Sequence, residues 1–413
     1  MQDWNFESPP ESSLEDREVN LESTHLQNRR IALLVTGSIA AMKAPLIARS
    51  LRRRGADVVA FVSQEALRYT TIDALAWSTT NPVITYLTPN AEHLSDASPF
   101  AAYLVAPATY NTINKLRYGI ADGVITSTLA SALGRMEKSK TQILIAPTMH
   151  GSLHNSILTS SLQTLQKIGV KIIPPRVADG KNYLPDETVI VSAVCRSIGQ
   201  SSLKDTPILV TGGPTPVAID NVRRITNRFT GKLGAAIAEE LYLRGAKVKL
   251  IHGISSYTPP EYLPQTIITS YDEYRDRVMA ELEQMPYRIA IFSAAVADYQ
   301  PKQVFDGKIS SGGTLQKIDL IPTAKVIDRV REQFPNLYMV TFKYQENVSH
   351  EELISIAQNR LQQGYQMVIA NRGEETGSQG EQIAYLITKE RQPQQSVGKS
   401  KIAKAIVDFL EEM

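Results

Sequence analysis

At 413 residues, 43% of them hydrophobic and 21% charged, the chain has an ordinary globular composition and is long enough for two domains. A formal net charge of +2 points neither to nucleic acid nor to a membrane surface, and no apolar run approaches the roughly 20 residues of a membrane helix. A single cysteine, Cys195, excludes an internal disulfide and suits a cytoplasmic setting.

Residues 1–29 are polar and acidic, with Pro9 and Pro10 and no apolar core of a signal peptide; they are expected to form a disordered tail. The first strand is predicted at Ile31–Val35, turning at Gly37 and Ser38. A helix should follow through AMKAPLIARSLRRRG, with Pro45 tolerated in its early turns and Gly55 as its stop. DVVAFVS reads as a strand and QEALRY as a helix start. AAYLVAPAT is a strand, NTINKLRYGIADGVITSTLASAL one helical stretch, TQILIAPTM a strand, the region to Ile168 helical, and VKIIPP a strand. Nearly continuous apolar strands alternating with helices imply a parallel sheet covered on both faces. His150 and His154 have the spacing of two metal ligands, but HGSLH lacks the glutamate of a metalloprotease helix, and the histidines form no zinc constellation.

RSIGQSSLKDTP is small and polar where the pattern restarts, so residues 196–206 are expected as a linker between domains 30–195 and 207–413. The second domain opens on ILVTGGPTPVAIDNVRRITNRFTGKLG: a strand from Ile208, a turn at Gly212, Gly213 and Pro214, a polar arm, and a helix from Leu233. Gly231 and Lys232 are followed by Leu233, with no Ser or Thr for magnesium, so this is not a Walker A loop. The two halves echo one another, LLVTGSIA with LVTGGPTP and AAYLVAPAT with RIAIFSAAVADY, which gives an α/β chain of two Rossmann-like domains. LYMVTFK, YQMVIAN and IAYLIT read as later strands and KIAKAIVDFLEEM as a closing amphipathic helix. Ligands of such sheets bind beyond the carboxyl ends of the strands, which marks Gly37, Ala106–Thr109, Thr211–Pro214 and Ala294–Asp298. SAAVADY is apolar up to Ala297 and then acidic, as for a carboxylate presented at a strand end.

The first half carries TGSIAAMK, His93 within AEHL, APATYNTINKLRYGIADG and APTMH. The second carries VTGGPTPVAIDNVRRITNRFTGKLG, SAAVADY, DGKIS and IAN ending at Asn371. In these motifs, from residue 30 to the C-terminus, the chain resembles the bifunctional family of coenzyme A biosynthesis that fuses phosphopantothenoylcysteine decarboxylase to phosphopantothenate–cysteine ligase. For the first half the resemblance implies an FMN-binding flavoprotein fold, with Gly37, Ser38, Ser63, Ala106, Pro107, Ala108 and Thr109 at the FMN and His93 as the catalytic histidine. The family reaction oxidises the cysteinyl carbon–sulfur unit to a thioaldehyde, loses carbon dioxide, and returns hydride to the enethiol without net redox change. His150 stands where the bacterial pattern has a substrate-binding Asn. The flap stretch PRVADGKNYLPDETV lacks the family's proton-donating cysteine, and Lys181 within ADGK resembles the archaeal branch.

For the second half the resemblance implies a ligase domain with a mainly parallel sheet, joining 4′-phosphopantothenate to cysteine through an acyl-nucleotide made with CTP and Mg2+. Gly212 and Gly213 would approach the nucleotide, Asp298 the nucleotide and metal, Lys308 the phosphate charge, and Asn227 would serve the acyl-nucleotide step. Lys343 and Tyr344 replace the small residues common there in bacterial members. The family assembly is a homo-oligomer of trimeric flavin domains and dimeric ligase domains, a dodecamer when fused. Two other readings compete: a ligase with a degenerate flavin domain, and a flavin-domain regulatory subunit.

Overall fold

The computed structural model describes residues 5–8, 10–94, 98–312 and 317–413 and separates into two units, Met1–Gly199 and Gln200–Met413, each built on its own sheet. In the first unit the predicted apolar runs form β1 (Arg30–Val35), β2 (Asp57–Val62), β3 (Ala102–Ala108), β4 (Gln142–Pro147) and β5 (Lys171–Ile172). They lie side by side in the order β2-β1-β3-β4-β5, every pair parallel. Ile31 to Val35 are all fully buried, as a strand covered on both faces requires. Each Ile, Leu or Val side chain among them contributes about 1.5–3 kcal/mol on burial.

The helices of this unit are α1 (Ala44–Arg53), α2 (Ile72–Thr79), α3 (Tyr110–Tyr118), α4 (Val124–Glu137), α5 (Ser156–Lys167) and α6 (Glu187–Ile198). The single helix expected after β3 is two. Gly119, at φ +67°, caps α3 by donating to the carbonyls of Leu116 and Lys115, and Thr126 takes the N–H of Gly123 at 2.9 Å to start α4. QEALRY gives only a 3-10 turn, Ala66–Arg68. Residues 1–4 and 9 of the expected tail lie outside the described residues. Its later part is held to the end of α1: Glu22 N and Leu26 N donate to Arg53 O and Arg54 O, both at 2.8 Å, and Leu26 is fully buried. An apolar residue inside a polar stretch, with no periodicity around it, was the reason the docking was not predicted.

The expected linker is also shorter. Helix α6 runs through Arg196 to Ile198, and Leu203 is buried with Ile208 in the core of the second unit.

That second unit holds β6 (Pro207–Gly212), β7 (Lys247–Gly253), β8 (Gln265–Ile268), β9 (Ile289–Phe292), β10 (Tyr338–Gln345), β11 (Met367–Arg372), β12 (Ile383–Ile387) and β13 (Gln394–Val397). Their order is β8-β7-β6-β9-β10-β11-β12-β13; β11 with β12 and β12 with β13 pair antiparallel, and the other pairs are parallel. Helices α7 (Lys232–Leu243) and α11 (Lys399–Glu411) share one core with Ile208 and Val210. The largely buried Arg244 guanidinium ties them together through Glu240, Asp408 and Glu411, each at 2.6 Å. Tyr274 and Val278 of α8 (Tyr271–Gln284) and Val330 of α9 (Val326–Gln333) pack with Leu209 and Ala290 in a second core, and α10 (His350–Gln362) covers β11.

Both sheets therefore reverse direction once in strand order, between β1 and β3 and between β6 and β9. Crevices open at such reversals because the flanking connections leave on opposite faces.

Candidate active sites

At the reversal of the first sheet, three turns converge. Ser63 N, after β2, donates to Val35 O at the end of β1 (3.1 Å). Thr36, buried after β1, donates to Pro107 O at 2.7 Å and accepts from Thr109 N at 3.3 Å, tying this turn to the end of β3. Gly37 has no space for a side chain: a Cβ there would stand 2.5 Å from Glu65 Cβ. Ser38 accepts from Ala40 N at 3.3 Å and Ser63 from Ala66 N at 3.2 Å, which uses acceptor sites and leaves each O–H to donate outward. Thr109 caps α3, taking Thr112 N at 3.4 Å, while Ala106, Pro107 and Ala108 are buried. Unspent hydroxyl donors, helix starts and apolar strand ends suit a phosphate and a flat apolar ring.

His150 and the flap stretch come together. Met149–His150 pairs antiparallel with Lys181–Tyr183, which pairs with Arg176–Ala178, placing His150 opposite Lys181. His150 Nδ1 is 3.0 Å from Ser152 Oγ, and His154 is tied to Asn182 at 2.8 Å. His93 lies between α2 and β3, its Nδ1 buried and without a hydrogen-bond partner among the described residues. The flap hairpin carries no cysteine, and Cys195 is buried in α6.

In the second unit the turn after β6 is knotted to the segment after β9. Ala295 N donates to Gly213 O at 2.9 Å, Thr215 N donates to Ala295 O at 3.3 Å, and the buried Thr211 and Thr215 hydroxyls accept from Ala294 N (3.3 Å) and Ala297 N (2.9 Å). Gly213 sits at φ +75°, where a Cβ would be 2.7 Å from Gly253 O on the neighbouring strand. Asn227, far along the polar arm, reaches the same place: its Nδ2 donates to Ala295 O at 2.9 Å. The arm is fastened further out by Arg228 to Glu346 (3.5 Å) and by Phe229 edge-on to Tyr344 (centroids 5.4 Å).

Asp298 is not at the end of β9 but directly before a short strand, Tyr299–Pro301. Strand β9 stops at Phe292, because the next backbone groups bond to Thr211 and Thr215 instead of a ladder. Asp298 lies beyond, exposed and ion-paired with Lys325, a residue with no motif in the sequence to point to it. Lys343, at the end of β10, stands in the same field. Burial lowers its pKa, with Arg360 and Lys325 adding to that and Asp298 opposing it. Lys308 is exposed and has no ionic partner among the described residues; its loop joins the arm through Asn221 N to Gly307 O (3.0 Å). Among the described residues no group of three acidic, His or Cys side chains could hold a metal unaided. A single carboxylate such as Asp298 is compatible with a magnesium ion carried on phosphate oxygens, which takes one or two carboxylates from the protein. Beneath the turn His252, register partner of Gly212, is buried with Nε2 unpartnered among the described residues, and burial lowers its pKa. An isolated histidine in an apolar run gave no sign of this placement.

Comparisons with known proteins meet the same division. Residues 19–199 match the Flavoprotein family and residues 203–413 the C-terminal domain of DNA/pantothenate metabolism flavoproteins. The coenzyme A biosynthesis bifunctional protein CoaBC of Thermococcus kodakarensis is 35% identical over 399 residues, 95% of this chain and 97% of the relative. Its counterpart in Methanocaldococcus jannaschii is 30% identical over 395 residues, 95% of this chain and 96% of the relative. Among solved structures, the DNA/pantothenate metabolism flavoprotein of Streptococcus pneumoniae covers 50% of this chain and 99% of its own at 29% identity and a TM-score of 0.46. The chain, with a flavoprotein unit followed by a ligase-type unit, belongs to the CoaBC family of bifunctional coenzyme A biosynthesis proteins.

Proposed function

We propose that the chain makes 4′-phosphopantetheine in two steps, ligating 4′-phosphopantothenate to cysteine in the second unit and decarboxylating the product in the first. The observation that carries this is the meeting of Asn227, the Gly213 turn and the Ala294–Asp298 segment at the reversal of the second sheet. There the substrate carboxylate attacks the α-phosphate of CTP, a new phosphorus–oxygen bond forms and pyrophosphate leaves. The cysteine amine then attacks the acyl carbon and releases CMP. Backbone N–H groups around Gly213 offer donors to phosphate oxygens, and Lys308 neutralises charge that grows on them. Asp298 would hold Mg2+, which supplies charge neutralisation at the same oxygens, and would leave Lys325 to do so. Asn227 is anchored through its NH2 group to Ala295 O, and its carbonyl oxygen would serve the acyl-nucleotide or the incoming amine.

In the first unit the convergent turns fit FMN, with Ser38 and Ser63 donating to it and Thr36 holding the turns in register. The chemistry FMN supplies there is reversible hydride transfer. His93 relays a proton beside the substrate, and His150, fixed against the flap, holds the substrate's polar end. The assembly follows the family: a homo-oligomer, trimeric through the first unit and dimeric through the second, working in the cytoplasm. Among the described residues no helix is long and apolar enough to cross a membrane.

A second reading rests on the flap. It carries Lys181 and no cysteine, so the first unit could bind flavin yet leave phosphopantothenoylcysteine unreacted. Mass spectrometry of products from phosphopantothenate, cysteine, CTP and magnesium decides between them. Phosphopantetheine with carbon dioxide supports two activities; phosphopantothenoylcysteine alone leaves a ligase with a silent flavin unit.

A further inference from the structure

Asp220 is the one carboxylate of the polar arm, and the ligation chemistry described above makes no use of it. Its side chain is entirely shielded from solvent. One oxygen, Oδ1, accepts from Val222 N at 2.8 Å and Arg223 N at 2.6 Å, closing the arm on itself. The other, Oδ2, accepts from Ile309 N at 3.0 Å and from Arg223 Nη1 at 2.9 Å. Arg223 Nη1 also donates to Ile309 O at 3.1 Å, so carboxylate and guanidinium together hold both backbone groups of the residue next to Lys308. Asn221 N to Gly307 O and Phe305 N to Ile219 O, both 3.0 Å, flank this clamp. Burial alone would raise the carboxyl; the N–H groups of Arg223, Ile309 and Val222 and the Arg223 charge overcome it and hold Asp220 at about 2, ionised throughout the working range.

We propose that Asp220 is a positioning residue for ligation, fixing the Lys308 loop to the arm that carries Asn227 so that the two side chains are presented together. The proposal rests on the reading that Lys308 and Asn227 serve the ligase. The geometry explains why a carboxylate is needed. Every group facing Asp220 is a donor, so an asparagine in either flip would set its NH2 group against N–H groups.

The test compares Asp220→Asn, Lys308→Gln and the double variant in the full-length protein. Phosphopantothenate, cysteine, CTP and magnesium are supplied for ligation, and phosphopantothenoylcysteine for decarboxylation. Asp220→Asn should lower ligation kcat by about 10²-fold, the scale of a displacement near 1 Å, and leave decarboxylation unchanged. In the Lys308→Gln background the same substitution should cost little more, because the group it positions is gone. Hydrogen exchange gives a readout that needs no activity: protection of the Ile309 amide should fall in Asp220→Asn. Asp220→Glu, which keeps the charge, should recover part of both signals. Wild-type ligation in Asp220→Asn, losses that simply multiply in the double variant, or unchanged Ile309 protection would overturn the proposal. Full ligation in Lys308→Gln would overturn it differently, by showing that Lys308 is not the residue served, even with the clamp intact by exchange.

Discussion

Gly213→Ala separates two costs that a glycine can hide. At φ +75° an alanine takes a left-handed conformation, which costs about 1–2 kcal/mol. Its Cβ would also stand 2.7 Å from Gly253 O and 2.8 Å from Gly253 N, backbone atoms at the end of β7 that cannot yield as a flexible side chain could. Forcing that contact adds about 1–3 kcal/mol, for a total of about 2–5 kcal/mol. Gly364, at φ +94° after α10, is the internal control: its Cβ would meet nothing closer than Arg331 Cδ at 3.6 Å. Gly364→Ala should therefore cost only the conformational part, about 1–2 kcal/mol, with ligation intact. Urea unfolding followed by circular dichroism, beside the nucleotide KM of each variant, measures both. Gly213→Ala should lose more stability than Gly364→Ala and raise the nucleotide KM. Equal stability losses with an unchanged KM would mean that the turn can move aside freely, and that its tie to Ala295 does not shape the nucleotide site.

Other consequences follow from the site geometry. His93→Asn should slow release of carbon dioxide from phosphopantothenoylcysteine by about 10²–10⁴-fold while ligation continues; retained decarboxylation would remove His93 from the chemistry. Asn227→Asp exchanges the NH2 group bound to Ala295 O for an acceptor, so ligation should fall with decarboxylation unaffected, and parallel loss of both would argue against separate sites. His252 has its pKa lowered by burial from 6.5, so below about pH 6.5 the unfolded chain takes up a proton that the folded chain refuses. Stability of the second unit should decline as pH falls below about 6.5, and the decline should be shallower in His252→Gln. Identical acid slopes in the two proteins would show that the imidazole is not excluded from protonation.

The strands were legible because a doubly covered parallel sheet demands continuous apolar runs, and Ile31–Val35, Ile208–Val210 and Ile289–Phe292 are such runs. Helix limits were less so. The break at Gly119 depends on one left-handed residue inside a pattern that keeps its period on both sides. Docking of Leu26 depends on carbonyls at the end of α1 that no local spacing announces.

Site residues divide along the same line. Gly37, Thr109 and Gly213 could be proposed from the sequence because topology alone sends ligands to strand ends, and the structure places all three at such ends. Asp298 was singled out by its motif, yet its ion-pair partner Lys325 carried no such signal, and neither did the clamp of Asp220 on Ile309, which spans 89 positions of sequence. A local pattern reports which groups a segment offers, whereas the fold decides which of them remain unspent. Ser38 and Ser63 each accept a local N–H, and Asp220 is engaged by backbone donors and Arg223, while Lys308 has no ionic partner among the described residues. An acidic residue near a functional lysine would ordinarily be expected to neutralise it. Here the carboxylate holds that lysine's loop by its backbone, which is the arrangement that the proposed phosphate contact of Lys308 requires.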